Sequence, residues 1–191
     1  MNKVVIILVF VAFGAPVLIA TLLHSEWFDP SLGATRNHGE LVQPVIELPA
    51  DWIIQRDDGT KFGQVDLLDR WHLVHLRNEA CDEACLEALY WLRQVRRAQD
   101  RHQPDVGLLL VSQAPLDAET RARVLELADD FMIADGGAAA SLVAAFPAGT
   151  EGPSSYILDP MANIILRYSN DADPNGIRRD LRRLLTWTQR D

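Results

Sequence analysis

The chain has 191 residues, 48 % of them hydrophobic and 24 % charged, the balance of an ordinary folded domain with something extra and apolar. Its formal net charge of −9 argues against nucleic acid and against an anionic lipid surface as partners. Two cysteines make one pair and exclude a disulfide framework.

The apolar excess lies at the start. Residues 4–23 run without a charge, about 20 residues or roughly 30 Å of helix, enough to cross a bilayer core. A cleaved signal peptide is the competing reading, but its apolar stretch is shorter and ends at small residues, whereas Thr21-Leu22-Leu23-His24 has no such site. Pro16 is tolerated in a membrane helix. With Lys3 on the short side, the positive-inside tendency predicts a single-pass anchor over residues 1–24 in the inner (cytoplasmic) membrane, its soluble part facing the periplasm.

Residues 25–50 turn polar and rich in turn formers (Asp29-Pro30, Gly33, Asn37, Gly39, Pro44, Pro49) and read as a tether. Residues 51–191 are the natural size of one domain. Within it, residues 51–55 and 61–65 flank Asp57-Asp58-Gly59-Thr60, a hairpin signal. Residues 71–76 (Trp-His-Leu-Val-His-Leu) form a strand, followed by Cys81 and a helix to about His102. That helix carries Leu86, Leu89, Tyr90, Leu92 and Val95 on one broad face and Arg93, Arg96, Arg97 and Arg101 on the other, solvated one.

Residues 106–111, with Gly107-Leu108-Leu109-Leu110, have the character of a buried parallel strand. A helix over 120–129, a short strand over 131–133 and an alanine-rich helix opened by Gly136-Gly137 follow. Residues 153–159 and 163–168 are two strands joined by Pro160-Met161-Ala162. Asp173-Pro174 starts a last helix with Ile177, Leu181, Leu184, Leu185 and Trp187 inward and arginines outward. This order of elements predicts an α/β sandwich around a mixed sheet.

Cys81 and Cys85 stand four residues apart at the mouth of the first helix of the domain. On a helical turn they lie on one face at a Cα separation of roughly 6 Å, inside the disulfide window and close enough to grip one soft metal ion. A staple usually closes a longer loop, where more chain entropy is at stake, so the spacing favours chemistry. Redox couple and copper clip both stay open. The helix N-terminus favours a thiolate, while Asp82 and Glu83 in the intervening turn oppose it.

The cysteine pair at the start of the helix after a central strand, and Pro153 just before the hairpin, resemble the thioredoxin superfamily. The resemblance implies a thioredoxin-like mixed sheet flanked by helices, with Pro153 as a cis-proline facing the cysteines. Within the superfamily, the anchored topology, the Asp58-Gly59-Thr60 hairpin, the three-residue gap in Cys81-Asp82-Glu83-Ala84-Cys85 and the Tyr156-Ile157-Leu158-Asp159-Pro160 block resemble the Sco/SenC group. Those proteins help mature the binuclear copper centre of cytochrome c oxidase with a cysteine pair and one distant histidine. Here that histidine falls at about Glu151, no histidine follows His102, and Leu86 replaces the proline that commonly follows the second cysteine.

A carboxylate is a poor ligand for cuprous ion. A third ligand would have to come from His72, His75, Met132, Met161 or a partner, although His72 and His75 point to opposite faces of their strand. The resemblance therefore implies an oxidase-assembly protein that exchanges thiols and disulfides on a partner's copper-ligand cysteines, with Cys81 attacking and Cys85 resolving. The alternatives are a copper metallochaperone using Cys81 and Cys85, and a non-catalytic assembly scaffold. The partner implied is an oxidase copper-binding subunit or a copper chaperone.

Overall fold

The computed structural model describes residues 3–4, 11–16, 21, 37–56, 59–147, 152 and 154–187. The chain divides into two units, Met1–Arg36 and Asn37–Asp191. In the first, residues 3–4, 11–16 and 21 are helical, and the rest of the expected anchor lies outside the described residues. No helix among the described residues is long and apolar enough to cross a membrane.

The second unit is built on two strands buried along their whole length, β4 (Trp71–Arg77) and β5 (Val106–Ser112), which pair in parallel. Both read as near-continuous apolar runs because each has layers on both faces. Around them lie β1 (Glu40–Glu47), β6 (Met132–Asp135), β7 (Ser154–Leu158) and β8 (Asn163–Ser169) in the order β1-β8-β7-β4-β5-β6. The pairs β4–β7, β7–β8 and β1–β8 are antiparallel, and β5–β6 is parallel. The hairpin β2 (Ile53–Gln55) with β3 (Lys61–Gly63) forms where the turn signal places it, as a separate two-stranded sheet.

Strand alternation divides the core into two layers. On one face Val74, Leu76, Leu109, Val111, Tyr156 and Leu158 pack with Trp52 and Phe62 of the small sheet and Leu142 of α3 (Ala140–Ala145; helices are numbered along the domain). On the other, Leu73, Leu108, Leu110 and Ile157 pack under α1 (Glu83–Arg97), α2 (Ala118–Leu127) and α4 (Pro174–Trp187). Each fully buried leucine or valine contributes about 1.5–3 kcal/mol.

Several boundaries differ from the pattern, each for a local reason. Residues 40–47, read as tether, are the edge strand β1, where Pro44 is accepted because an edge leaves some amides unpaired. Its Gln43-Pro44 bond is cis, in the irregular stretch between Leu41 and Ile46. The helix from Cys81 begins at Glu83 and ends at Arg97 rather than near His102, because Asp100 takes a left-handed conformation (φ 53°) and Pro104 sits in a 3-10 turn over Asp100–Asp105. On α1 the inward face holds Arg96, which is buried and paired in a fork with Asp130 at 2.6 and 2.9 Å, whereas Tyr90 is exposed. Ile164 and Leu166 share a parity but lie in opposite layers, because β8 carries one extra residue between its pairings with Leu158 and Ile157.

The last helix begins at Pro174 as read, with Ile177, Leu181 and Leu185 buried. The side chain of Trp187 lies outside what is described.

Candidate active site: the Cys81–Cys85 disulfide

The site is assembled where β4 ends and α1 begins. Asp82 has extended backbone and is the N-cap of α1: its Oδ1 accepts from the Cys85 N–H at 2.9 Å, as a short acidic side chain before an apolar helical run should. Cys81 lies one residue before the cap and Cys85 three residues after it, inside the first turn of the helix. Cys81 and Cys85 form a disulfide, with an S–S distance of 2.04 Å, a dihedral of −92° and Cα atoms 5.2 Å apart.

The two sulfurs differ in access. Cys85 is fully buried among Leu86, Leu89 and the sheet face of Leu73, whereas Cys81 is half-buried at the rim of that cluster.

Both acidic residues of the turn are paired with arginines. Arg77, the last residue of β4, is buried and donates to Asp82 Oδ1 at 2.6 Å and to Oδ2 at 3.3 Å. The Cys85 N–H first, and then Arg77, hold the Asp82 carboxyl below its ordinary range. Arg123 of α2 donates to both oxygens of Glu83, and this hydrogen bonding lowers the Glu83 pKa. The opposition to a thiolate expected from the two carboxylates is therefore largely compensated, and the helix N-terminus acts on the sulfurs against a nearly neutral background. Arg77 was not among the residues singled out in the sequence, although an Asp before an apolar helical run is a recognisable cap signal.

His75 lies in the same layer as Cys85, fully buried, with Nδ1 3.2 Å from Ser155 Oγ. Burial, and then Arg77, lower its pKa to about 4, against a smaller opposing effect of Asp82. His72 points into the other layer, as alternation requires. Its Nδ1 lies 3.1 Å from the Arg70 carbonyl oxygen, to which it donates, and burial lowers its pKa to about 4.

Met132 packs in the layer opposite the cysteines. Met161 is exposed in the β7–β8 turn, at the end of β4 away from the disulfide. Glu151 and Pro153, one on each side of Gly152 and before the first residue of β7, Ser154, lie outside the described residues. Among the described residues no group of three His, Cys, Asp or Glu side chains could hold a metal ion. Among the described residues the soft donors at the site are the two sulfurs alone, and two sulfurs do not make a complete cuprous site.

A disulfide across the first turn of the helix that follows the central strand of a mixed, helix-flanked sheet defines a thioredoxin-like protein. The chain belongs to the family of the transmembrane-like, thioredoxin-like C-terminal domain, which it matches over residues 71–188. Its structural neighbours include Sco/SenC proteins, beside thioredoxin-like thiol–disulfide proteins. Apo Sco1 from Thermus thermophilus is 17 % identical with a TM-score of 0.62 over 80 % of this chain and 99 % of that one. Copper-bound ScoI from Arabidopsis thaliana is 14 % identical with a TM-score of 0.58 over 78 % and 98 %. BsSco, described as a Sco-family cytochrome c oxidase assembly protein with a disulfide switch, is 14 % identical with a TM-score of 0.54 over 72 % and 92 %. No curated protein matches the chain.

Proposed function

We propose that this chain is a single-pass, N-terminally anchored thiol–disulfide exchange protein of the periplasmic face of the cytoplasmic membrane, acting in cytochrome c oxidase assembly on the copper-ligand cysteines of a partner subunit. The observation that carries the exchange chemistry is the unequal exposure of two bonded sulfurs at a helix mouth, Cys81 half-buried and Cys85 buried. The oxidase as client is supported by the Sco-type neighbours, one of them described as an oxidase assembly protein. The anchor is supported by the uncharged run over residues 4–23.

In the reduced protein the Cys81 thiolate attacks one sulfur of the partner's disulfide. The S–S bond of the partner breaks, its other sulfur leaves with the electron pair and takes a proton, and a mixed disulfide joins Cys81 to the partner. Cys85 then loses its proton and attacks Cys81 Sγ, releasing the second partner thiol. The partner gains two electrons and two protons, and Cys81–Cys85 is left oxidised. The anchored chain carrying Cys85→Ser should accumulate a mixed disulfide with an oxidised copper-binding subunit, and Cys81→Ser should not. Full reduction of the partner's disulfide by Cys81→Ser would refute the mechanism.

A second reading is favoured by the copper-bound neighbour. Here Cys81 and Cys85 carry cuprous ion as cargo, the third ligand coming from the partner. Anaerobic titration against a competing chelator tests it, and absence of binding at stoichiometric copper would remove it.

A further inference from the structure

The outward face of α4 carries arginines and no carboxylate. Arg178, Arg179, Arg182 and Arg183 line it, with Arg179 and Arg182 exposed, while the only acid of the helix, Asp180, is buried beneath. Arg178 and Arg182 carry no ion pair to a described carboxylate. Beside this stripe α1 presents Tyr90 and Trp91, packed edge to face with ring centres 5.4 Å apart and about two-fifths exposed (41 % and 43 %). An open groove of about 640 Å³ runs between them, lined by Trp91, Val95, Pro174 and Arg178, with Asp173 as its carboxylate. Cationic side chains flanked by amphipathic aromatics suit the headgroup region of a bilayer.

The path of the chain supplies a second, independent observation. The domain is entered at Asn37 and His38, and both are held by α4: Arg183 donates to Asn37 Oδ1 at 3.0 Å, and Asp180 accepts from the His38 N–H at 2.7 Å. The segment that leads back to the apolar run therefore departs from the arginine-bearing helix. Residues 24–36 can reach no more than about 45 Å when extended.

We infer that the outer face of α4, flanked by Tyr90 and Trp91, docks on anionic phospholipid headgroups of the membrane that holds the N-terminal segment. The inference rests on the anchoring in the preceding section. The net charge of −9, which by itself argues against an anionic surface, is not the charge of this face: α4 presents four arginines, and screening weakens the effect of charges more than about a Debye length away.

The test is arginine footprinting of the full chain with phenylglyoxal, each site read by mass spectrometry, in nanodiscs of phosphatidylcholine and of phosphatidylcholine mixed with phosphatidylglycerol. Arg178, Arg179 and Arg182 should react several-fold more slowly in the anionic discs, and Arg56, on the other side of the sheet over Phe62, equally in both. High salt should remove the difference. Arg178→Glu with Arg182→Glu should restore the reactivity of Arg179. Equal reactivity of the three arginines in both lipids overturns the inference. A chain that does not enter discs refutes the anchor instead. Anionic vesicles added to that chain then decide the docking: shielding of the three arginines supports it and its absence overturns it.

Discussion

Arg77 and Asp82, five residues apart across the loop between β4 and α1, are joined by a two-pronged ion pair whose carboxylate also caps the helix that carries Cys85. The end of the central strand is thereby tied to the turn that sets the disulfide. Asp82→Ala removes the cap and strands a buried guanidinium, with an expected loss of about 2–4 kcal/mol. Asp82→Asn keeps an acceptor for the Cys85 N–H and should lose less. Urea denaturation of both variants checks the order.

The buried and half-buried sulfurs should differ in reactivity once reduced. Iodoacetamide should label Cys81 at least tenfold faster than Cys85, on the order of a burial difference of about 1.4 kcal/mol in access. Peptide-resolved mass spectrometry after brief alkylation measures the ratio. Equal rates would remove the assignment of Cys81 as the attacking sulfur.

Two buried neutral histidines make the fold sensitive to mild acid. His72 and His75 have pKa values of about 4 in the native protein, against about 6.5 when unfolded. Between these values the unfolded chain binds protons that the folded chain refuses, so stability is fully present above pH 6.5 and falls as pH drops towards 4. Each contributes up to about 3 kcal/mol of that loss. His75→Asn should flatten the slope between pH 6.5 and 4.5, measured as the urea midpoint at each pH.

Gly107 faces the ring of His72 across the β4–β5 pair, and a Cβ there would collide with its Cδ2 and Nε2. Gly107→Ala should cost about 1–3 kcal/mol through overpacking. Combined with His72→Ala it should cost less than the sum of the single changes, because the second removes the obstacle. Thermal or urea unfolding of the cycle gives the coupling.

Asp180 is a buried carboxylate satisfied by the His38 N–H at 2.7 Å, the Gly39 N–H at 3.0 Å and the Tyr168 hydroxyl at 2.9 Å. Asp180→Ala leaves these donors without their acceptor, for an expected loss of about 3 kcal/mol. The loss should be concentrated at the start of β1. Hydrogen exchange should show amides 40–42 exchanging much faster while those of β4 and β5 keep their protection.

Much of the fold was legible because its signals are local. The apolar runs of β4 and β5, the turn residues of the β2–β3 and β7–β8 hairpins and Pro174 at the start of α4 each speak within a few positions. β1 was not, because Gly39 and Pro44 look like turn formers until β8 is there to pair with them. Arg96 was placed on the outer face because only Asp130, 34 residues on, makes its burial tolerable. The exposure of Tyr90 and Trp91 depends likewise on where α4 comes to lie.

By itself the sequence determined the kind of site: two cysteines four residues apart at the mouth of a helix, after an apolar strand. Spacing and side-chain type suffice for that, since they act within one turn of chain. The tertiary structure decided the rest. Arg77 and Arg123 neutralise the acidic gap, Cys85 is buried and Cys81 left at the rim, and His72 and Met132 are sent to the opposite layer. Those outcomes are set by which strands and helices meet: Arg123 lies 40 residues from Glu83, and even Arg77, five residues from Asp82, meets it only once the loop between β4 and α1 has folded back.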